Sequence, residues 1–440
     1  MLHSLSTLLI ILLVGERVFA FSNLICYGPL SGSLIRRKHS SSRLTALNDI
    51  DSDSPIDKLS EERKSNLFQF LLRDLEVEGV PLLGCDADQV HTFQAAVWTI
   101  MAELSEKDAG EKACLVLESI PVEALKTFAD DFVVLKTQNR LIDKLPELKR
   151  ISVSLLGKGV GPALIIETSE RSEEDRALYA KVQEASSTHD ENKYNAAMKS
   201  FVDRMVVGLA VCPFMKSNNL GPVGLADQKV EPGPIAYRTT KSADVCDIIS
   251  AFWNCVCEML SVPENQLSST VLSYPTIGMG YDSNEVHDRF SAVAELTSRS
   301  LFLYRGGDVF DLLHMHPLYD RNLIYPESKP AHGHLPPTGW LRPMLKHNGN
   351  DAEAIRFSEE DLNLHNYQRR SPVPAVVIKR VSQLDAATTP ESGIVKIETA
   401  DGTEEIAAGV PTYSRNVIKL ASEGRESLQA KLDSEAAIVL

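Results

Sequence analysis

The sequence has few cysteines and few aromatic residues, and it has only one long hydrophobic run. Its seven cysteines are spread over 440 residues and show no metal-finger spacing. A chain of this length buries a sizeable core of its own, so it does not need the disulfide framework of a small secreted domain. The one apolar run, at residues 5–14, is too short to cross a membrane, and we expect no membrane span in the mature chain.

Basic residues are also scarce. The chain has 45 Lys and Arg against 60 Asp and Glu, which gives a formal net charge of −15 at pH 7. Nucleic-acid binding depends on a basic surface that neutralises phosphates, and an acidic chain opposes it. We therefore exclude nucleic acid as a partner and expect a small anionic molecule or a protein.

The first 47 residues have the composition of a targeting leader. Residues 1–20 contain the apolar run and end on Ala20, which is typical of a signal peptide. Residues 21–47 begin with Phe21 and are rich in serine and basic residues but contain no acid, which is typical of a transit peptide. The two together resemble the two-part leader of algae with complex plastids, such as diatoms. This resemblance implies a plastid stromal protein; a secreted protein with a basic propeptide is the alternative.

After the leader, changes in composition divide the chain into five segments. Residues 171–193 are highly charged and almost free of large apolar side chains, which is typical of a linker or a solvated helix. We predict a disordered lead-in at 48–57, an α+β accessory domain at 58–170, the linker at 171–193, an α/β domain at 194–385, and a hairpin and helix at 386–440. The last segment is expected to pack on the α/β domain.

Hydrophobic periodicity predicts the elements of the accessory domain. Helices are expected at 61–75, 87–104 and 121–144, and strands at 151–155 and 163–166. The loop at 157–162 is rich in glycine and contains a lysine. We interpret it as a hairpin turn, because a phosphate-binding loop leads from a strand into a helix.

Helical and extended patterns alternate in the 194–385 domain. Helices are predicted from 194, at 245–259, at 284–304 and at 358–366, and strands at 235–239, 270–274, 309–316 and 374–378. Strands separated by helices indicate a layered α/β sandwich with at least partly parallel pairing. The predicted fold class is therefore α/β, with this sandwich preceded by the smaller α+β domain.

Residues 201–216 are predicted to form an apolar helix that ends at Cys212, because Pro213 disfavours the α conformation of the residue before it. A cysteine at a chain break is a candidate nucleophile. Cys212 also follows Met205 and Leu209 at helical spacing, which indicates a buried face, and the end of a helix disfavours a thiolate. Both a structural cysteine and a reactive thiol fit the sequence.

Histidines are concentrated in one part of the chain, with seven of the eleven between residues 287 and 365. His314 and His316 are two apart on a predicted strand, so their imidazoles face one side and could hold a transition metal such as zinc. No Asp or Glu lies at a spacing from these histidines that is typical of a third metal ligand. The alternative to a metal site is a set of histidines that form hydrogen bonds within the protein. His332 and His334 lie in a Pro/Gly loop that is typical of a lid or of a ligand-bearing loop.

A polar segment, NYQRRSP, separates the last predicted helix of the domain from its last strand. Its adjacent arginines could hold a carboxylate or a phosphate in a bidentate fork, and Arg370 is the candidate for this contact. Asn366, Tyr367 and Ser371 are predicted to contact the substrate. Surface ion pairs with the many acidic residues of the chain are the alternative.

Three motifs in this order resemble the bacterial and plastid family catalogued as domain of unknown function 1415. They are GLAVCPFMK at 208–216, HPLY at 316–319, and NY followed by RSPVP within 366–374. The resemblance covers about 195–385 and implies a domain but no reaction, because the family has no established biochemical role. The chain departs from the usual family pattern at Ala210, Met215 and Val377.

Two functional hypotheses follow. In the first, the protein is an enzyme that acts on a small anionic substrate. Cys212 is the nucleophile or a wall of the site, and His316 is a base or a metal ligand. Arg370 binds the anion, and Tyr319 contacts the substrate. In the second, the protein is a non-catalytic plastid binding or assembly factor. The motifs are then structural ends of helices and strands, and the acidic surface contacts a protein partner.

Overall fold

The computed structural model of the protein describes residues 73–77, 80–85, 90–117, 120–137, 144–156, 163–177, 179–180, 190–277, 283–303, 307, 309–324, 333–387, 394–399, 402–407 and 409–439. The chain divides into two compact units, Met1–Arg176 and Ala177–Leu440. The predicted leader at 1–47, the lead-in at 48–57 and the loop at 157–162 lie outside the described residues. Within the described ranges no helix is both long and apolar enough to cross a membrane.

A five-stranded mixed sheet forms the centre of the first unit. Its elements are β1 (Arg73–Val77), β2 (Val80–Cys85), α1 (Val90–Ser105), β3 (Lys112–Leu117), α2 (Val122–Thr137), β4 (Ile151–Leu155) and β5 (Ala163–Thr168). The strand order is β1-β2-β3-β5-β4. Strands β2 and β3 are parallel because α1 crosses over between them, and the other pairs are antiparallel.

The sequence predicts both helices and the β4–β5 hairpin of this unit but misses strands β1, β2 and β3. Helices α1 and α2 and the antiparallel pair β4 and β5 confirm the predicted helices and hairpin where the chain is described. The predicted helix at 61–75 is wrong at its end, because Arg73–Val77 is an edge strand paired with β2. Residues 61–72 lie outside the described residues. Pairing with a neighbouring strand outweighs the helical spacing of apolar residues at this end.

The second unit also contains a five-stranded mixed sheet. Its first elements are α3 (Glu191–Phe201), a π-helix (Val202–Gly208), β6 (Leu220–Gly221), β7 (Gly233–Thr239), α4 (Val245–Ser261), β8 (Ser269–Ser273), α5 (Ser283–Leu303) and β9 (Phe310–Met315). They are followed by α6 (Arg321–Ile324), α7 (Thr338–His347), α8 (Asp351–Arg356), α9 (Glu359–Asn363), a 3-10 helix (Leu364–Gln368), β10 (Ala375–Arg380) and α10 (Val381–Ala387).

The strand order of this sheet is β6-β7-β8-β10-β9. Only β7 and β8, which α4 connects, are parallel among these pairs. Helix α4 begins where the Asp244 carboxylate accepts a hydrogen bond from the Cys246 amide, and α9 begins at Ser358, which forms a capping box with Asp361. The predicted α/β fold class and partly parallel pairing are confirmed.

The C-terminal segment packs on the second unit, as predicted. It consists of the hairpin β11 (Ile394–Thr399) and β12 (Gly402–Ala407) followed by α11 (Val410–Glu423) and α12 (Arg425–Ala436). The prediction of a single helix after the hairpin is wrong, because Gly424, with φ at +80°, separates two helices. Leu420 and Leu428 place both helices against a core that contains Phe201 and Met205.

The predicted helix at 201–216 ends earlier than expected. The helical segment stops at Gly208, and Ala210 has a φ of +48°, in the left-handed region. Cys212 therefore lies in a loop beyond the helix and is partly exposed. The prediction that Cys212 belongs to the buried face of the helix is wrong. Because Cys212 is not at the helix C-terminus, the helix dipole no longer argues against a thiolate there.

Candidate functional site

Two of the three motifs are in direct contact at one end of β9. The His316 amide donates to the Arg369 carbonyl over 3.0 Å. The Arg370 Nε donates to the Tyr319 carbonyl over 3.1 Å. The turn that follows β9 and the segment that precedes β10 therefore form one surface, as the sequence predicted for His316 and Arg370.

His316 is a structural residue of this turn. It is 1% exposed, and its ring packs 4.6 Å from the Phe290 ring and 5.5 Å from the His287 ring. Burial, and then the neighbouring His287, lowers the pKa of His316 to about 3. Its Nδ1 accepts a hydrogen bond from the Leu318 amide over 3.0 Å.

This hydrogen bond fixes the chemistry of the ring. A neutral imidazole whose Nδ1 accepts carries its proton on Nε2. Neither nitrogen then offers a lone pair to a metal or to a substrate proton. The geometry opposes both roles predicted for His316, as a base and as a metal ligand, and supports the alternative of a hydrogen-bonded histidine.

His314, the second predicted metal ligand, lies in β9 and is fully buried. Its Nε2 is 3.0 Å from the Ser298 hydroxyl, and its ring lies 5.0 Å from the His334 ring. In the described part of the chain no group of three or more His, Cys, Asp or Glu side chains is placed to hold a metal. Zinc at His314 and His316 stays a prediction, and none of these contacts supports it.

The predicted substrate-binding side chains bond within the protein. The Asn366 Oδ1 accepts from the Arg321 amide, the Tyr367 hydroxyl donates to the Gln429 side chain, and the Ser371 hydroxyl donates to the Val373 carbonyl, over 3.0, 2.8 and 2.6 Å respectively. All three residues are at most 3% exposed. They position the arginine segment and do not present their polar groups to a ligand.

Tyr319 is equally enclosed. Its hydroxyl accepts from the Leu335 amide over 3.0 Å and lies 3.2 Å from His334 Nδ1. The residue is fully buried, and burial raises its pKa to about 12. The contact with Leu335 attaches the predicted lid loop to the HPLY turn.

The two arginines differ from these residues. Arg369 is 9% exposed, yet its Nε has no hydrogen-bond acceptor, and no described residue accepts from its terminal nitrogens. Arg370 is half-buried and lies over the Tyr367 ring, with 4.5 Å between the guanidinium carbon and the ring centroid. Its Nε donates to the Tyr319 carbonyl, while both terminal nitrogens lack an acceptor among the described residues.

The loop before Cys212 is held by the C-terminal helix α11. Three successive carbonyls each accept a hydrogen bond from one α11 side chain: Leu209 from Lys419 Nζ (3.1 Å), Ala210 from Arg415 Nη2 (2.7 Å) and Val211 from Asn416 Nδ2 (2.8 Å). These bonds stabilise the left-handed turn at Ala210.

Asn416 also joins this loop to the arginine segment. The same Nδ2 atom that donates to Val211 donates to Gln368 Oε1, again over 2.8 Å. Gln368 directly precedes Arg369. All three motifs therefore meet around α11, although Cys212 reaches the other two through Asn416 and not through its own side chain.

Four cations of these segments have no carboxylate partner. Arg369 and Arg370 of the arginine segment, and Arg415 and Lys419 of α11, form no ion pair with any described residue. The chain has an excess of acidic residues, so four cations without an ion pair on two connected segments are unexpected. We call Arg369 and Arg370 the arginine pair, since both have guanidinium nitrogens with no protein acceptor in the described ranges.

Little in the sequence indicates the contacts of the α11 side chains. Arg415 and Lys419 are four residues apart and so share one helical face, but nothing in the sequence connects that face with residues 209–211. Asn416 lies outside the 195–385 region of the family resemblance.

Comparisons of the chain with protein-family models, with curated proteins and with solved structures found no match. The family resemblance of the three motifs stays a prediction. Function is therefore inferred from the geometry of the second unit.

Proposed function

We propose that the second unit binds a small molecule with a carboxylate or phosphate group, and that the arginine pair holds this group. The observation that carries the proposal is Arg369, which is 9% exposed and has a buried Nε with no acceptor and no counter-charge among the described residues. A buried charge is costly unless it is paired. An anionic ligand would supply both the missing charge and the missing acceptors.

Arg370 supports the same proposal through its orientation. Stacking on Tyr367 and the bond from Nε to the Tyr319 carbonyl fix the plane of the guanidinium. Its two terminal nitrogens then form a fork that matches the two oxygens of a carboxylate or phosphate. A fixed fork loses little side-chain entropy when it binds.

Ligand recognition is better supported than thiol catalysis. His316 has no lone pair for the Cys212 proton, because its Nδ1 already accepts from Leu318. Cys212 is partly exposed and follows a loop attached to the arginine segment. We infer that Cys212 lines the ligand site, as a wall in the sense of the first hypothesis.

Binding can be tested by calorimetric titration of the full mature chain with phosphate and with malonate. We expect both to bind, and we expect Arg369→Gln to weaken binding at least tenfold, because hydrogen bonds to charged groups contribute about 1.5–3 kcal/mol. Arg425→Gln removes an exposed arginine at the start of α12 and is the matched control. Equal affinity of the wild type and Arg369→Gln would refute the proposal.

The second candidate is the non-catalytic plastid binding or assembly factor with a protein partner. It is favoured by the internal hydrogen bonds of Asn366, Tyr367, Ser371 and Tyr319, which make these motif residues structural. If this candidate is right, neither anion binds and the chain associates with a protein from a plastid extract. A fluorescent fusion of residues 1–47 in a diatom tests the proposed plastid location separately, and secretion of the fusion would contradict it.

A further inference from the structure

Asn416 has an unusual position, because one side-chain nitrogen donates to two different motifs. Its Nδ2 lies 2.8 Å from Val211 O, one residue before Cys212, and 2.8 Å from Gln368 Oε1, one residue before Arg369. We propose that Asn416 is a positioning residue that couples the Cys212 loop to the arginine pair, so that an anion bound at Arg369 changes the reactivity of the Cys212 thiol. The anion-dependent part of this inference rests on the proposed function.

The amide of Asn416 is oriented by its surroundings. Its Oδ1 accepts from Arg415 Nη2 over 3.3 Å, so the Nδ2 group is turned toward Val211 and Gln368 and gives one hydrogen to each. Asn416 is 1% exposed, so water does not readily replace either bond. An aspartate at this position would keep the acceptor for Arg415 but would lose both donors.

Helix α11 provides a rigid base for this bridge. The Ser414 hydroxyl donates to the Met344 carbonyl of α7 over 3.0 Å, and Val417 packs in the same apolar cluster as Met344. The Cys212 loop and the arginine segment are thus attached to one fixed side chain. A shift of the arginine segment therefore changes the hydrogen bond from Asn416 Nδ2 to Gln368. Because the same nitrogen also donates to the Val211 carbonyl, that second hydrogen bond changes with it.

The reactivity of Cys212 can be measured with iodoacetamide, a neutral reagent whose adducts are located by mass spectrometry. The buried Cys246, Cys255 and Cys257 are internal controls, because they react only when the unit unfolds. In the absence of anion we expect Asn416→Asp to speed Cys212 labelling several-fold while these three stay unlabelled. Asn254→Asp, which removes an amide donor to Ser250 on α4, should leave Cys212 labelling as in the wild type.

Phosphate tests the coupling itself. In the wild type we expect saturating phosphate to slow Cys212 labelling roughly five-fold or more, at the lower end of coupling energies between sites. Gln368→Met removes the acceptor for Asn416 but leaves the bond from Asn416 to Val211, and it should abolish the phosphate effect while calorimetry still detects phosphate binding.

The outcomes separate this inference from the proposed function. If neither phosphate nor malonate binds to the wild type, the proposed function and the anion-dependent coupling are both overturned, and the positioning role is decided by the labelling of Asn416→Asp without anion. If phosphate binds but labelling of Cys212 does not respond, or if Gln368→Met keeps the full response, only the coupling is overturned. If iodoacetamide also labels the three buried cysteines of Asn416→Asp, a folded Asn416→Gln variant replaces it. A Cys212 labelling rate equal to that of the wild type in the folded variant rejects the positioning role.

Discussion

Replacing Arg369 by methionine is expected to make the ligand-free protein more stable. The Arg369 side chain is 9% exposed, and its Nε has no acceptor among the described residues. Methionine has a similar length and no polar atom, so it fills the same space without a charge to desolvate. Arg369 would then lower stability in exchange for ligand binding, which is common at functional sites.

The magnitude follows from the unmade hydrogen bonds. A buried polar group without a partner costs about 1–3 kcal/mol, and a charged group costs more. We therefore expect Arg369→Met to raise the free energy of unfolding by about 1–3 kcal/mol in buffer that contains no phosphate or carboxylate. For a unit of this size the melting temperature should rise by about 2–4 °C for each kcal/mol.

The assay is urea denaturation of the full mature chain, with and without phosphate. Phosphate at one hundred times the wild-type dissociation constant should stabilise the wild type by about 2.7 kcal/mol and Arg369→Met by no more than about 1.4 kcal/mol, since binding is weakened at least tenfold. Arg425→Met, at an exposed position, should stay within about 0.5 kcal/mol of the wild type. A clear loss of stability in Arg369→Met without anion would refute the reasoning, since the guanidinium would then already have a partner in the protein.

Three further predictions concern the fold around the site. Burial lowers the pKa of His316 to about 3, so the unfolded chain binds a proton near pH 6.5 that the folded protein does not bind. The free energy of unfolding should therefore fall by up to about 1.4 kcal/mol per pH unit below pH 6. Denaturation of His316→Gln should show a smaller dependence of this free energy on pH. Gly333→Ala should lower the free energy of unfolding by about 2–4 kcal/mol, because φ is +76° and a Cβ would lie 2.6 Å from a histidine ring. Gly349 has the same φ but open space around it, so Gly349→Ala should cost only about 1–2 kcal/mol. Equal losses of stability in the two variants would contradict this prediction. Glu435→Gln should cost about 3 kcal/mol in urea denaturation, because the residue is 3% exposed and its carboxylate pairs with Arg204 of the π-helix. Glu359 belongs to an exposed ion pair, so Glu359→Gln should cost less than about 1 kcal/mol.

Long periodic segments could be predicted from the sequence because their pattern depends on one face of one element. Helix α4 and strands β8 and β10 were predicted within two residues of their bounds. The end of the helix at Gly208 could not be predicted, because side chains about 205 residues away hold the loop that follows. Strand β1 was missed for a similar reason, since its partner strand and not its own spacing determines its conformation.

One contact of the candidate site was predicted, but the surroundings of its side chains were not. The contact of the HPLY turn with the arginine segment was expected, and His316 and Arg370 lie there. The roles of the side chains depend on hydrogen-bond partners that only the fold brings together, such as the Leu318 amide for His316. For the same reason the sequence favoured Arg370 over Arg369, although Arg369 is the more buried of the two and its Nε has no acceptor among the described residues.

The most direct test of the central claim is a crystal structure of the protein grown with tungstate, a heavy-atom analogue of phosphate whose position is given by its anomalous signal. We expect one anomalous peak at the arginine pair, with tungstate oxygens about 3 Å from the Arg369 guanidinium nitrogens. An Arg369 side chain paired with a protein carboxylate, and no tungstate beside it, would contradict the claim that this residue binds a ligand.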